Sequence, residues 1–375
     1  MHKEAKQVDP QKIALRVFVF LGGVAVANGI INLEVANGLI YVLYVTAITA
    51  TFLYLVRPRK EVLDLLMAAV FGATVLAIST YRLPSQTDEE TLVLYAAYLF
   101  RHGVDPYSVS LLDAYKVFPV AEPVVTVTLT PVYYVDVFGY PALYFELAAL
   151  AYPQIVTVAT MFLLYLFLRY RGVPELFFIV ALIDGTWNWF TGGSFDIVSL
   201  ALALVALTFS DWKRSALLAL SGDVKQFALL YLPFIWKDYW GKWKELALNI
   251  VIPVVVFLVP NIPFISKEWA YDVLGPILQP IANQGVSISL LASLGLSSHL
   301  AYTVAFLLMY IVMIYIYRPV SRLKWLLPAF IWIVSWRDLS YFLFYVTAWV
   351  SSYVLESGSP VSLGGTKPSG PTSND

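Results

Sequence analysis

The sequence predicts an all-α polytopic integral membrane protein: a bundle of about 9–11 transmembrane or half-spanning helices, with outer loops carrying the functional residues. Three observations lead there. Of 375 residues, 59% are hydrophobic and only 13% charged. That charged share is about half the usual quarter of a soluble domain, and the apolar surface exceeds what one core absorbs. Apolar runs of spanning length alternate with short polar turns. Lys and Arg gather at every second turn, as they do at the inner ends of membrane helices.

Met1 to Lys12 is polar and basic, without the apolar core and small-residue cleavage site of a removable leader. Ile13 to Leu33 predicts a first span, Glu34, Asn37 and Gly38 a tight turn, and Leu39 to Val56 the return, so that 13–60 forms an N-terminal helix hairpin. Arg57, Arg59 and Lys60 mark an inner end, and Val62 to Thr80 crosses outward. Residues 81–141 are too polar to span and are broken by Pro106, Pro119, Pro123, Pro131 and Pro141. They form an extracytoplasmic acidic loop. Within it, Thr87 and Glu90 fit a capping box, so a helix should begin at Asp88. Leu92, Tyr95, Ala96 and Leu99 give that helix one apolar face, and Gly103 ends it.

Ala142 to Leu168 predicts an inward crossing to Arg169 and Arg171, and Pro174 to about Phe190 the way back out, leaving Asp184 and the turn Gly192 to Asp196 outside. Ile197 to Phe209 descends to Lys213 and Arg214, and the next basic cluster is Lys237, Lys242 and Lys244. With both clusters inside, 215–236 must enter and return on one side, with its tip at Gly222-Asp223 and Lys225 at membrane depth. Its two halves are each too short to span. A single crossing is the alternative. Leu246 to Phe264 exits, 265–298 forms a second outer loop, and His299 to Tyr317 enters to Arg318, Arg322 and Lys324. The last apolar run, Trp325 to Leu355, is interrupted by Ser335-Trp336-Arg337-Asp338, which reads as a helix broken near its outer end; one long tilted helix is the alternative. Residues 1–356 thus make one polytopic domain, expected in the cell (plasma) membrane with its site outside. The Gly, Pro and Ser of 357–375 predict a disordered tail.

The same topology places Asp88, Asp196, Asn283 and Arg337 on one outer face with Lys225 below them. A net charge of −1 without a dense basic run gives no basis for a nucleic-acid partner, and zero cysteines exclude thiolate chemistry and Cys-held metals. No cofactor or metal is expected. Acids in an outer loop with cations near membrane depth suit an enzyme that draws a phosphorylated, lipid-borne donor from the bilayer. The cation would neutralise a phosphate leaving group and a carboxylate would take the proton of an acceptor hydroxyl. Each residue also has a plainer reading. Asp88, Glu89 and Glu90 favour the positive end of a helix dipole wherever they stand in a first turn, Lys225 can snorkel or pair with Asp223, and Asp196 can simply start a helix.

The acidic pair Asp88-Glu89, its amphipathic helix and Gly103-Val104-Asp105-Pro106-Tyr107 resemble the first loop of GT-C glycosyltransferases, closest to the polyprenyl-phosphomannose-dependent branch. Gly193 to Ile197 is similar to that branch's Gly-Asn-x-Asp turn, Ser221 to Lys225 to its small-residue stretch with a Lys, Asn283 to Ser287 to its Asn-Gln-Ser loop, and Ser335 to Asp338 to its Ser-Trp motif. The resemblance implies a GT-C-like bundle and metal-free, inverting transfer of a mannose-like hexose. The donor would be a polyprenyl-phosphate sugar, the acceptor a glycan, lipid or protein, and membrane lipids the surroundings. It implies Asp88, with Glu89, as catalytic acids, Asp88 being the base. Lys225 and Arg337 would bind the donor phosphate, and Tyr107, Asp196, Asn283, Gln284, Trp336 and Asp338 the substrates. A transporter or flippase of lipid-linked sugars is the rival reading, since broken helices with charges at depth serve it equally; such folds usually show two related halves, and no second copy of the acidic loop occurs.

Overall fold

The computed structural model describes residues 9–31, 33, 35, 37–80, 87–119, 127–129, 132–134, 136–184, 194–278, 281–282, 287–288, 299–330 and 337–356. Among the described residues, five helices are long and apolar enough to cross a membrane: Pro10–Ile31 (α1), Gly38–Val56 (α2), Lys60–Thr80 (α3), Pro153–Tyr170 (α7), and Trp243–Asn261 (α12), which runs on through Phe264. Only 28% of the most apolar window of α2 and 22% of that of α12 is covered by protein. Val42, Val45 and Phe52 on α2, and Val251, Val255 and Val259 on α12, stand exposed. Surface this apolar is at rest against lipid, so the chain is built as a helical membrane protein.

The other described helices are Asp88–Arg101 (α4), Ala114–Val117 (α5), Ala142–Leu150 (α6), Glu175–Asp184 (α8), Asp196–Ala206 (α9), Trp212–Val224 (α10), Leu232–Asp238 (α11), Lys267–Leu278 (α13), His299–Ile316 (α14) and Leu339–Leu355 (α15). The expected single crossing from Ala142 to Leu168 is two helices. Ala151 and Tyr152 are extended and Pro153 opens α7, where its missing N–H costs nothing. Arg101 closes the end of α6 by donating from Nε to the Ala149 carbonyl at 3.0 Å. The N-terminal hairpin joins the main bundle, because Gly22 of α1 lets the helix reach the Phe178 carbonyl of α8 so closely that a Cβ would overlap it.

The chain is helical as the sequence predicts, and a few very short strands accompany the helices. Short strands Val127–Leu129 (β1), Val132–Tyr134 (β2), Ile281–Ala282 (β3), Ser287–Ile288 (β4) and Arg337–Asp338 (β5) join the outer segments. β1 pairs with β2 and β3, and β4 pairs antiparallel with β5, Ser287 opposite Asp338 and Ile288 opposite Arg337. These ladders satisfy backbone groups in connections that are not helical. They also show that the run from Trp325 to Leu355 is not one continuous helix, since a strand precedes α15.

One face gathers basic residues. Arg169 of α7 meets Asp64 of α3 at 3.0 Å, and Lys60 donates to the Gly172 carbonyl. Lys324 meets Asp238 at 2.9 Å and Glu356 at 3.7 Å, while Arg214 reaches the same Glu356 at 3.3 Å. Tyr239 donates to the Ser210 carbonyl. Both ends of 212–238 are therefore on this face, and the segment enters and returns. Its turning point is Lys225, extended at φ −139°, rather than Gly222-Asp223, which lie within the last turn of α10. The hairpin closes tightly: a Cβ on Gly222 would come within 2.6 Å of Leu229 Cγ. Ser199 of α9 and Ser221 of α10 exchange hydrogen bonds, Ser221 Oγ donating to the Ser199 carbonyl at 2.7 Å. That contact sets the start of α9 beside the hairpin tip. Glu356, which closes the described chain, shares the basic face with Arg214.

Candidate functional site

The hairpin tip delivers Lys225 into a cluster of side chains that come from three other elements. Thr87 caps α4 as the sequence predicts, its Oγ accepting the Glu90 N–H at 3.1 Å. The helix thus starts at Asp88 and turns Glu89 toward the tip. Lys225 Nζ lies 3.0 Å from Glu89 Oε1 and 3.1 Å from Oε2. It also pairs with Asp196 in the first turn of α9. Asp196 is held by Ser194, whose Oγ donates to Oδ2 at 2.9 Å. The ring of Tyr140 lies 5.2 Å from the ammonium, a cation–π contact, and stacks on Tyr144 at 4.7 Å. The Tyr144 hydroxyl donates to Glu89 Oε1 and accepts the Phe195 N–H at 2.8 Å.

Burial grades across the cluster: the side chain of Lys225 is 3% exposed, that of Glu89 15% and that of Asp196 37%. Asp196 is its open edge. Two carboxylates face one ammonium, so the trio carries a net charge of −1 when both acids are ionised. Burial pushes the Glu89 carboxyl up to about 7; Lys225 opposes the shift, Asp196 adds to it, and the Tyr144 hydrogen bond opposes it. Glu89 lies in the acidic loop segment, outside the long apolar helices.

Of the residues expected at the site, Glu89, Asp196 and Lys225 meet. Asp88, the expected base, is buried beside them, and its Oδ1 accepts the Glu89 N–H at 2.8 Å. Among the described residues, the carboxylates paired with Lys225 are those of Glu89 and Asp196, not Asp223. Asp223 instead accepts from Asn261 Nδ2 at 2.8 Å. Tyr107, expected to touch substrate, is packed between Phe138, Phe145 and Phe264, and its hydroxyl donates to the Tyr140 carbonyl at 2.7 Å. It braces the ring above Lys225. Arg337 and Asp338 are placed by backbone only, in the ladder with β4. Asn283, Gln284 and Trp336 lie outside the described residues.

No protein-family model, curated protein or solved structure matches this chain. The chemistry has to be read from the geometry. Sequence reasoning missed Tyr144, because 142–150 reads as part of a span, and Tyr140, which stands at the end of the long loop with no motif to mark it. Pro153 was the available signal: the residue before a proline leaves the helical region, and the nine residues of α6 are then too short to cross.

Proposed function

We propose that the protein is a membrane glycosyltransferase of GT-C type, moving a mannose-like hexose from a polyprenyl-phosphate donor to a glycan, lipid or protein acceptor on the extracytoplasmic side. The observation that carries this reading is the buried Lys225 pressed against Glu89 and Asp196 at the tip of an entering-and-returning hairpin. In an inverting displacement the base and the leaving group lie on opposite faces of the sugar, so Glu89 cannot act as base while it still holds Lys225. The donor phosphate therefore takes over the ammonium and leaves Glu89 as a desolvated carboxylate that still accepts from the Tyr144 hydroxyl. The acceptor oxygen bonds to the anomeric carbon as its proton passes to Glu89. The carbon–oxygen bond to phosphate breaks with its electron pair, and polyprenyl phosphate departs against Lys225. Asp88, one residue earlier, is the second candidate for the proton. Arg337 is the second candidate for the phosphate.

The test is incubation of the purified full chain with radiolabelled polyprenyl-phosphate hexoses and a membrane extract. Label is expected in an acceptor with wild type and lost with Glu89→Gln. No transfer from any such donor would overturn the reading. A charged tip buried in a broken helix also suits a flippase; that rival predicts label that changes side in sealed vesicles while staying on its polyprenyl carrier.

A further inference from the structure

We propose that Tyr144 is the positioning residue that keeps Glu89 aimed at the acceptor after Lys225 has turned to the donor phosphate. The proposal rests on the reading of Glu89 as proton acceptor. Three observations support it. Tyr144 is fully buried, so its hydroxyl has no solvent to bond. That hydroxyl donates to Glu89 Oε1 and accepts the N–H of Phe195, the residue that opens α9. It therefore ties the first turn of α4 to the first turn of α9, the two helix starts that carry Glu89 and Asp196. The ring is clamped between Tyr140 at 4.7 Å and Phe195 at 4.8 Å, which leaves the hydroxyl one place to point.

Among the described residues, the Glu89 carboxylate is bonded by Lys225 and by Tyr144. One is an ammonium that the donor phosphate would claim; the other is a neutral phenol, whose hydroxyl proton a phosphate drawn to the ammonium would not displace from Glu89. A hydroxyl that accepts from a helix-start N–H is a better donor to a carboxylate, because the two bonds polarise each other. Tyr144 is then the bond that survives donor binding. The charged and titratable groups facing Glu89 are Lys225 from the hairpin, Asp196 from α9 and Tyr144 from α6, with Asp88 and Glu90 beside it on α4.

The experiment is an infrared titration of the Glu89 carboxyl, identified as the band lost in Glu89→Gln, run beside the pH–rate profile of transfer. Losing a hydrogen bond to a carboxylate should move the Glu89 titration of Tyr144→Phe up by about one to two pH units. The kcat should fall with little change in donor KM. If Tyr144→Phe does not fold, 3-fluorotyrosine placed at 144 keeps the ring and sharpens the donor, and should move the titration down. Tyr165→Phe, which removes the equivalent bond to Asp64 on the basic face, should move neither. A Glu89 titration unchanged by both substitutions at 144 would overturn the proposal. The infrared result reads Tyr144 whether or not transfer is found, so a failure of the transferase reading shows up separately, as wild-type protein that titrates normally and transfers nothing.

Discussion

Replacing Lys225 by Gln removes the ammonium that Glu89 and Asp196 share, and the two acids then face each other. Glu89 and Lys225 are in the buried regime, at 15% and 3% exposed. Deleting one member of such a pair costs about 3–5 kcal/mol, mostly because the other is left charged and unpaired. Asp196, at 37% exposed, is in the regime where an ion pair is worth at most about 1 kcal/mol, so it adds little. The loss should depend on pH, and its sign follows from Glu89. The Glu89 carboxyl is raised to about 7 with Lys225 in place, and removing the ammonium raises it further. A carboxyl that titrates higher folded than unfolded binds more protons in the folded state, so stability is gained as pH falls through the folded value. At pH 9 wild type holds Glu89 ionised against Lys225 whereas the variant must either bury an unpaired carboxylate or take up a proton, so the deficit grows as pH rises above about 7; near pH 6 both hold it protonated and most of the deficit is gone. Thermal unfolding in detergent at the two pH values measures this, and Lys225→Gln combined with Glu89→Gln should recover most of the pH 9 loss. A deficit equal at both pH values, or a double variant less stable than Lys225→Gln alone, would refute the buried-pair reasoning.

The transfer rate of wild type should rise with pH through about 7, because the base must be ionised, and Glu89→Gln should remove that limb; the pH dependence of kcat/KM measures it. Glu89→Gln should cost about 10² to 10⁴ in rate, with a smaller loss for Asp88→Asn if Asp88 only supports the first turn, as rates at saturating acceptor would show. Asn261 bonds Ala142 N, Trp269 Nε1, Asp223 Oδ1 and the Phe257 carbonyl, so Asn261→Leu strands several buried groups and should cost about 3 kcal/mol or more in denaturant unfolding. Asp223→Asn, which keeps the shape, should cost under about 1 kcal/mol in the same measurement. Reporters fused after Lys242 and after Glu356 should report one side of the membrane, and a reporter after Pro106 the other.

The parts of this architecture that were legible in the sequence are those written by long-period or capping signals. α4 begins where Thr87 and Glu90 say it should, because a cap is local chemistry. The long helices follow from unbroken apolar runs, and the return of 212–238 from basic residues at both its ends. The two- and three-residue strands have no period to read, and two of their three pairings join segments distant in the chain: Val127 lies opposite Ala282 and Ser287 opposite Asp338. At the site, Lys225, Glu89 and Asp196 stood out because charges are scarce in an apolar chain. Tyr144 did not, since it is one of 25 tyrosines and sits in a run that imitates a span.

The depth of the cluster follows from helix lengths. The 13 residues of α10 rise roughly 20 Å from Trp212 on the basic face, against a hydrocarbon core of about 30 Å. The 11 residues of α9 descend roughly 16 Å from Asp196. Neither helix crosses, and both end at the same level, which lies about two thirds of the way toward the other face. Unpaired, Lys225 would be costly there, and it is met by acids from α4 and α9. For α4 to reach that level from a loop, and for α6 to bring Tyr144 beside it, these two short helices must dip below the outer ends of α3 and α7. On these lengths the cluster sits roughly 10 Å inside the far polar–apolar boundary. On the proposed reading, a lipid-borne donor would keep its polyprenyl chain among the acyl chains and bring its phosphate down from the boundary to the ammonium, which would offset the cost of burying it.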